Sequence, residues 1–332
     1  MKKLFFLLSI LLVSSCGKEV KPGYQHFEGL AFGTSFHITL EGAKDLVVES
    51  DIDSLIHAVN RSLSTYIPNS DISKINKGDS TVVVDDMFRE VFEKSTTIYQ
   101  ETDGAFDPTI GILVNAWGFG PGGSLNDMGQ KTVDSLLVFV GFDKIRLKEG
   151  KVIKKYPEIY LDFNANAKGF GVDVIGRYLE SRGVANYLVE IGGEIRARGV
   201  NPKNQPWKIA IEKPNFDGSR SFQTILALKN ESIATSGNYR KFKIDSLSGE
   251  KFAHTIDTKT GYPSKSNLLS ASVIGNFDCA DVDAYATAFM AMGLDKTMRF
   301  LENNRDIKCF LIFNDRDQGL KTYATDNLKL NN

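Results

Sequence analysis

Tyr187-Leu188-Val189-Glu190-Ile191-Gly192-Gly193-Glu194-Ile195-Arg196-Ala197-Arg198-Gly199-Val200 is the stretch on which the fold turns. Tyr187–Ile191 and Ile195–Val200 each read as a strand, and too few residues separate them for a helix, so they lie close enough to form a hairpin. Further strands follow at Trp207–Ile211, Phe222–Leu228, Phe252–Ile256, Leu269–Ile274, Cys309–Phe313 and Lys321–Tyr323. Helices interrupt this series only at Ala280 to Met292, stopped by Gly293, and at a second segment capped by Asp295 and running through Leu301. Strands that do not alternate with helices disfavour a doubly wound parallel sheet. They predict an α+β architecture, with mixed or antiparallel sheets flanked by helices.

The N-terminal half supplies those flanking helices. From Leu46 to Leu63 the apolar positions Val48, Ile52, Leu55, Ile56, Val59 and Leu63 fall on one helical face. Asp86 is placed to cap a helix reaching about Thr102, a short helix is expected near Val133–Val140, and another from Ala167 to Ser181 with Gly183 ending it. Gly29 to Leu40 reads as a first strand around Gly33. Thr81–Val84, Ile145, Val152 and Tyr160 mark small strands, with Gly-rich turns from Asp103 to Gly123 between them. There is no internal repeat and no low-complexity segment.

The 332 residues carry 40 Lys+Arg against 41 Asp+Glu, a formal charge of −1, which excludes an electrostatic nucleic-acid binder as the default. A hydrophobic fraction of 42% with 24% charged residues describes a chain that buries a sizeable core. At the N-terminus, Lys2 and Lys3 precede an apolar run from Leu4 to Val13, then Ser14, Ser15 and Cys16, the pattern of a secretory signal. The run is too short to span a bilayer, which takes about 20 apolar residues. Val13-Ser14-Ser15-Cys16 resembles a bacterial lipobox, with Cys16 as the lipidated first residue of the mature chain. The expected organisation is a signal peptide at 1–15, a lipid-anchored (palmitate-bearing) tether at 16–27 and one working domain at 28–332, held to the cell or outer membrane and facing the periplasm. Cys279 and Cys309 stand in or beside apolar segments and are expected as buried free thiols rather than a disulfide. The four His are His26, His37, His57 and His254, and no Cys/His spacing of a zinc site occurs.

Four places could carry chemistry. Asp283 and Thr287 stand at i and i+4 of a helix and offer hard oxygen ligands on one face, which suits Mg²⁺; the same residues would equally serve a helix start and a core contact. From Leu161 to Asp173 a short strand gives way to a helix beginning at Lys168, Gly169 and Gly171, a start open to a phosphate or to close packing. Asp103 to Thr109 and Asn115 to Gly120 interleave turn-formers with Phe106, Trp117 and Phe119, which would wall a flat heteroaromatic ligand or pin a loop into the core. Ala234 to Arg240 and His254 to Gly261 bring hydroxyls, one His and Asp257 to strand ends and turns. No Ser/His/Asp or Cys/His nucleophile set is apparent.

In chain order these places resemble the ApbE family of bacterial flavin transferases, the FAD:protein FMN transferases. The matching segments are Phe32-Gly33-Thr34, Leu63 to Tyr66 with Ser70 to Asn76, Asp103 to Thr109, Trp117-Gly118-Phe119, Asp162 to Asp173, Ile191 to Glu194, Thr235-Ser236-Gly237, His254 to Gly261 and Asp283 to Thr287. The resemblance implies an ApbE-like fold with its ligand in a cleft between two lobes. It also implies an enzyme that uses Mg²⁺ to move the FMN half of FAD onto a Ser or Thr hydroxyl of a target protein, such as a membrane redox-complex subunit, with release of AMP. Its metal ligands fall on Asp283, Thr287 and the backbone carbonyl of Ala165. Its flavin-nucleotide contacts fall on Phe32, Tyr66, Ala105, Phe106, Asp107 and Lys168, with Ser236, Gly237, His254 and Asp257 near the ligand. Lys168 would neutralise pyrophosphate charge, and His254 or Asp257 would take the hydroxyl proton. The family usually has Met at the place of Phe32, small and aliphatic residues at Asn164 and Asn166, and Pro at Thr258. The alternatives are an Mg-dependent FAD pyrophosphatase yielding FMN and AMP, and a non-catalytic flavin-binding lipoprotein.

Overall fold

The computed structural model describes residues 23–330 except 44, 45, 126, 216–218, 220, 239–241, 245–250 and 316. The signal segment and Cys16 lie outside the described residues, as do Tyr239 and Arg240. The strands are β1 (Tyr24–Ala31), β2 (Thr34–Glu41), β3 (Ile145–Lys148), β4 (Lys151–Lys154), β5 (Tyr187–Ile191), β6 (Glu194–Arg198), β7 (Trp207–Glu212), β8 (Phe222–Leu228), β9 (Glu231–Gly237), β10 (Phe242–Ile244), β11 (Lys251–Ala253), β12 (Leu268–Gly275), β13 (Lys308–Asp315) and β14 (Gly319–Ala324). The helices are α1 (Glu49–Leu63), α2 (Asp71–Asn76), α3 (Asp86–Glu101), α4 (Gly111–Ala116), α5 (Gln130–Leu137), α6 (Ala167–Ser181), α7 (Cys279–Met292) and α8 (Leu294–Asn303).

Eight strands form the main sheet in the order β1-β2-β5-β6-β9-β12-β13-β14. Every neighbouring pair is antiparallel, so the sheet is antiparallel throughout. Because successive side chains of a strand point to opposite faces, Ala234, Val273, Cys309 and Leu311 enter one core, while their neighbours Ile233, Ile274, Phe310 and Ile312 enter another. The first core is closed by α6 and α7 through Val172, Ile175 and Phe289, and the second by the β7–β8 hairpin through Trp207 and Leu226. A further core gathers Val59, Leu63, Phe88, Phe92, Phe163 and Phe170 from α1, α3, the approach to α6 and α6 itself. Fully burying one such side chain is worth about 1.5–3 kcal/mol, so these layers, rather than helix propensity, hold the elements in place.

Several sequence expectations change in three dimensions. The strand expected from Gly29 to Leu40 is two strands folded at Phe32-Gly33, with Ala31 paired to Thr34 and φ of 53° and 78° at the two turn residues. Two positive φ values in a two-residue loop suit the twist of a hairpin, but Phe is a poor residue for them, which is why the turn is not evident from sequence. The Phe32 ring is held against α6, where a Cβ on Gly171 would lie 2.3 Å from Cε2 of Phe32. β1 begins at Tyr24, so the sheet takes in residues 24–27 assigned above to the tether. Thr81–Val84 is not a strand, although the Val84 amide donates to the Gly150 carbonyl at 2.8 Å. Asp85, not Asp86, caps α3, accepting from the Phe88 amide at 2.8 Å. Asp295 lies inside the first turn of α8, whose N-cap is Gly293. Tyr160 makes an isolated bridge to Ile110, the strand expected through Ile256 stops at Ala253, and the turn-rich segment after Asp103 includes α4.

α7 is buried on nearly every side, and its N-terminal amides are met by a carboxylate from α6. Asp173 accepts from the Cys279 amide at 2.8 Å, the Ala280 amide at 2.9 Å and Arg196 Nη1 at 2.7 Å. The free thiols Cys279 and Cys309 are both buried, and burial pushes both thiols up. Among the described residues no helix is long and apolar enough to cross a membrane.

Candidate functional site

A cleft of about 1280 Å³ opens between the main sheet with α6 and α7 on one side and the α1–α5 assembly on the other. Its lining includes Phe32, Tyr66, Ala105, Phe106, Asp107, Ala165, Lys168, Ser236, Gly237, His254, Asp283 and Thr287, so nearly every residue singled out from sequence reaches one place. Asp257 is not in the lining. Its carboxylate accepts from the amides of Lys259 at 2.8 Å and Thr260 at 3.1 Å, and so shapes the turn that follows His254.

Local sequence explains how each group arrives. Asn76 brackets Leu161, donating to its carbonyl and accepting from its amide, both at 2.8 Å, and the Asp162 amide donates to the Pro108 carbonyl at 2.8 Å. These bonds lay the segment before α6 alongside the turn that carries Phe106 and Asp107. Asn164 donates to Thr65 Oγ1 at 3.1 Å, beside Tyr66, and the fully buried Asn166 donates to Ser95 Oγ at 3.0 Å. Asn164 and Asn166 therefore tie the Ala165 backbone to the chain just after α1 and to α3. Thr258 donates to the Gly104 carbonyl at 2.7 Å, and Trp117 Nε1 donates to the Gly261 carbonyl at 2.9 Å. The turn-rich segments around residues 103–119 and 254–261 are thus joined. Trp117 packs on Tyr262 at 5.7 Å between ring centroids and lies outside the lining, while Phe119 lines the cleft and meets the His254 ring edge-on at 6.5 Å.

The floor of the cleft is polar. Asp283 is 3% exposed and its Oδ2 accepts from the Gly169 amide at 3.1 Å. One turn further along α7, Thr287 Oγ1 lies 3.2 Å from Ser236 Oγ on β9. Lys168 Nζ is 2.5 Å from Glu194 Oε1. Burial works against the Lys168 charge, but Glu194 and Asp283 outweigh it and hold the ammonium above the ordinary lysine range. Burial pushes the Asp283 carboxyl up, Lys168 pulls it back and Glu194 adds to the rise. Elsewhere in the lining, burial pushes Asp162 up to about 6 against hydrogen bonds from Asn164, and Asp107 up to about 6 against the two it accepts from Thr109 at 2.8 and 2.6 Å. Tyr66, 61% exposed at the rim, and the half-buried Phe32 offer ring faces for a flat ligand, while Phe106 lines the cleft but is only 2% exposed and packs into the first core.

Asp283 and Thr287, one turn apart on α7, and Ala165, in the same lining, are the residues whose hard oxygens could hold a divalent cation. Among the described residues no three His, Cys, Asp or Glu side chains gather for a metal. Glu194, Asp162 and strand β7, whose Ile209 to Glu212 line the cleft, were given no individual role from sequence. The signal for Glu194 was present: Gly192-Gly193 between two alternating strands is a two-residue turn signature, and it delivers the next residue to the end of a strand.

The family model described as the ApbE family matches residues 32–311. A relative from Vibrio cholerae serotype O1 named FAD:protein FMN transferase is 36% identical over 97% of this chain and 96% of its own. One of the same name from Haemophilus influenzae is 34% identical over 96% and 94%. Among solved structures, the flavin transferase ApbE from Vibrio cholerae superposes with a TM-score of 0.81 at 34% identity, covering 92% of this chain and 97% of its own. The apo flavinyl transferase ApbE from Pseudomonas stutzeri gives a TM-score of 0.81 at 28% identity, covering 92% and 96%. With the match spanning both halves of the cleft and the antiparallel sheet beneath it, this chain belongs to the ApbE family.

Proposed function

We propose that this chain transfers the FMN half of FAD to a Ser or Thr hydroxyl of an acceptor protein, with AMP as the leaving group and Mg²⁺ as the metal. The observation that carries this reading is the convergence of Asp283, Thr287 and Lys168 on the floor of a cleft walled by Phe32, Tyr66 and Phe106. Its volume of about 1280 Å³ exceeds the roughly 300–1,000 Å³ of ordinary small-ligand sites, which leaves room for an acceptor side chain beside the dinucleotide.

The residues fit a divalent cation, because two buried carboxylates, Asp283 and Glu194, share a single ammonium there. Asp283, Thr287 and the Ala165 carbonyl would hold it, and Mg²⁺ bound there would act as a Lewis acid on the pyrophosphate oxygens. Lys168 adds a second positive charge for the same oxygens, and the ring faces at the mouth orient the flavin. The acceptor hydroxyl oxygen attacks the FMN-side phosphorus, its proton passes to His254, and the bond to the bridging oxygen breaks with its electron pair leaving on AMP. Asp257 supports His254 indirectly, by forming the turn beyond it.

The leader sequence supports lipidation at Cys16 and tethering to the cell or outer membrane on its periplasmic side, which would bring the cleft to membrane-protein acceptors. Cys16→Ser should release the protein into the soluble fraction.

Incubation with FAD, Mg²⁺ and candidate acceptors, read by mass spectrometry for an FMN adduct, tests the reaction, with a parallel incubation lacking acceptor. An adduct that disappears with Asp283→Ala supports the proposal. FMN and AMP accumulating equally with and without acceptor, and no adduct, would instead establish a pyrophosphatase.

A further inference from the structure

Among the described residues, one side-chain oxygen of the cleft lining is buried without a hydrogen-bond partner. Glu194 is 2% exposed, and the Gly192-Gly193 turn, with φ of 62° and 106°, carries it from β6 into the lining beside Lys168, Asp283 and Thr287. Its Oε1 is engaged by Lys168 Nζ at 2.5 Å. Its Oε2 is buried and, among the described residues, has no hydrogen-bond partner. Charged oxygens are not buried unpaired without a large cost, so this atom is expected to meet a ligand that donates to it.

The neighbours decide what kind of ligand. Glu194 and Asp283 are two buried carboxylates in one lining, so phosphate oxygens would meet repulsion on this side, and a cation or a donor would be attracted. Direct coordination by Glu194 is opposed by the Lys168 ammonium on the same carboxylate. A Mg²⁺-like ion usually keeps several of its waters, and those waters are donors. The geometry points to Glu194 as a positioning residue of the cation site. Its Oε2 accepts a hydrogen bond from water held by the divalent cation, while its Oε1 holds Lys168 in place. The inference rests on the metal assignment made above and adds to it a carboxylate outside the three ligands.

The test is Mn²⁺ binding to the full chain without FAD, followed by electron paramagnetic resonance, for the wild type, Asp283→Ala, Glu194→Gln and the double variant Lys168→Met/Glu194→Gln. The double variant removes both charges, so a folded protein is retained even if Gln alone leaves Lys168 unpaired. Glu194→Gln and the double variant should each bind Mn²⁺ about 10–100-fold more weakly, the usual cost of losing an outer-shell partner, with thermal unfolding of the double variant close to wild type. Loss of binding in Asp283→Ala together with affinities within twofold of wild type in both Glu194 variants overturns the role of Glu194 and leaves the metal assignment standing. Undiminished binding in Asp283→Ala overturns the metal assignment, and this inference with it.

Discussion

The contact between α6 and α7 at Gly169 yields a prediction that can be worked from distances. A Cβ at this position would lie 2.4 Å from the Cys279 carbonyl oxygen, 2.6 Å from its carbon and 2.8 Å from the Ala280 nitrogen, where ordinary contact begins at 3.4 Å. All three are backbone atoms at the start of α7, held by Asp173, so they cannot turn aside as a side-chain tip would. Gly169→Ala therefore needs the helices to part by about 1 Å, and overpacking without relief costs up to about 3 kcal/mol. The intrinsic preference of a helix for Ala over Gly returns about 1 kcal/mol. The net loss of about 2 kcal/mol lowers the unfolding temperature by roughly 4–8 °C. The same displacement lengthens the 3.1 Å bond from the Gly169 amide to Asp283 beyond hydrogen-bonding range. A misplacement of about 1 Å in a reactive site costs on the order of 100-fold in turnover. Differential scanning calorimetry and initial rates of AMP release from FAD in Mg²⁺ measure both effects. Gly123→Ala, where nothing lies within 4 Å, is the matched control and should change neither. Wild-type unfolding temperature and turnover in Gly169→Ala would refute the idea that this close helix approach sets the site.

Three further outcomes follow from the same geometry. Asp173→Ala leaves the Cys279 and Ala280 amides at the start of α7 without their acceptor, while Arg196 keeps Asp278 at 2.8 Å, and should cost about 1–3 kcal/mol in urea unfolding; a loss below about 0.5 kcal/mol would show that α7 does not depend on this carboxylate. Asp107 is raised from 3.8 to about 6 by burial, so the folded state binds its proton more tightly than the unfolded state, and stability falls as pH rises from about 4 through 6. Asp107→Asn should be the more stable protein at pH 7, by up to about 3 kcal/mol, with a flatter profile below it; parallel profiles would remove the buried charge as the cause. Phe32→Ala removes a ring face from the cleft wall and should raise the KM for FAD about tenfold with kcat within twofold, and an unchanged KM would take Phe32 out of the ligand site.

How much was legible in advance follows from the range of the forces involved. α3, α6 and α7 were readable within a residue or so, and α1 to its C-terminal end but three residues too long at its start, because apolar spacing, an N-terminal Asp and a closing Gly are local signals. β9 was recognised only by its end at Thr235 to Gly237, since a strand buried between β6 and β12 is defined by its neighbours more than by its own alternation. The turn at Phe32-Gly33 was hidden because tertiary packing of the ring against Gly171 overrides a poor turn residue. His254 and Asp257 looked equivalent in sequence, three residues apart on one turn, and separated only when the fold aimed the first at the cleft and bound the second to the amides of Lys259 and Thr260.

The sequence by itself determined the α+β class, the identity of the family and most of the residues that line the cleft, because each of these is written in short, ordered patterns of residue type. The tertiary structure alone decided that the sheet is a single antiparallel one, that residues 103–119 and 254–261 are tied by Thr258 and Trp117, and that Glu194 sits beside Lys168 and Asp283 with one oxygen unanswered. These are contacts between residues far apart in the chain. Whether a polar group is paired or left over depends on what packing places next to it, and no local pattern records that.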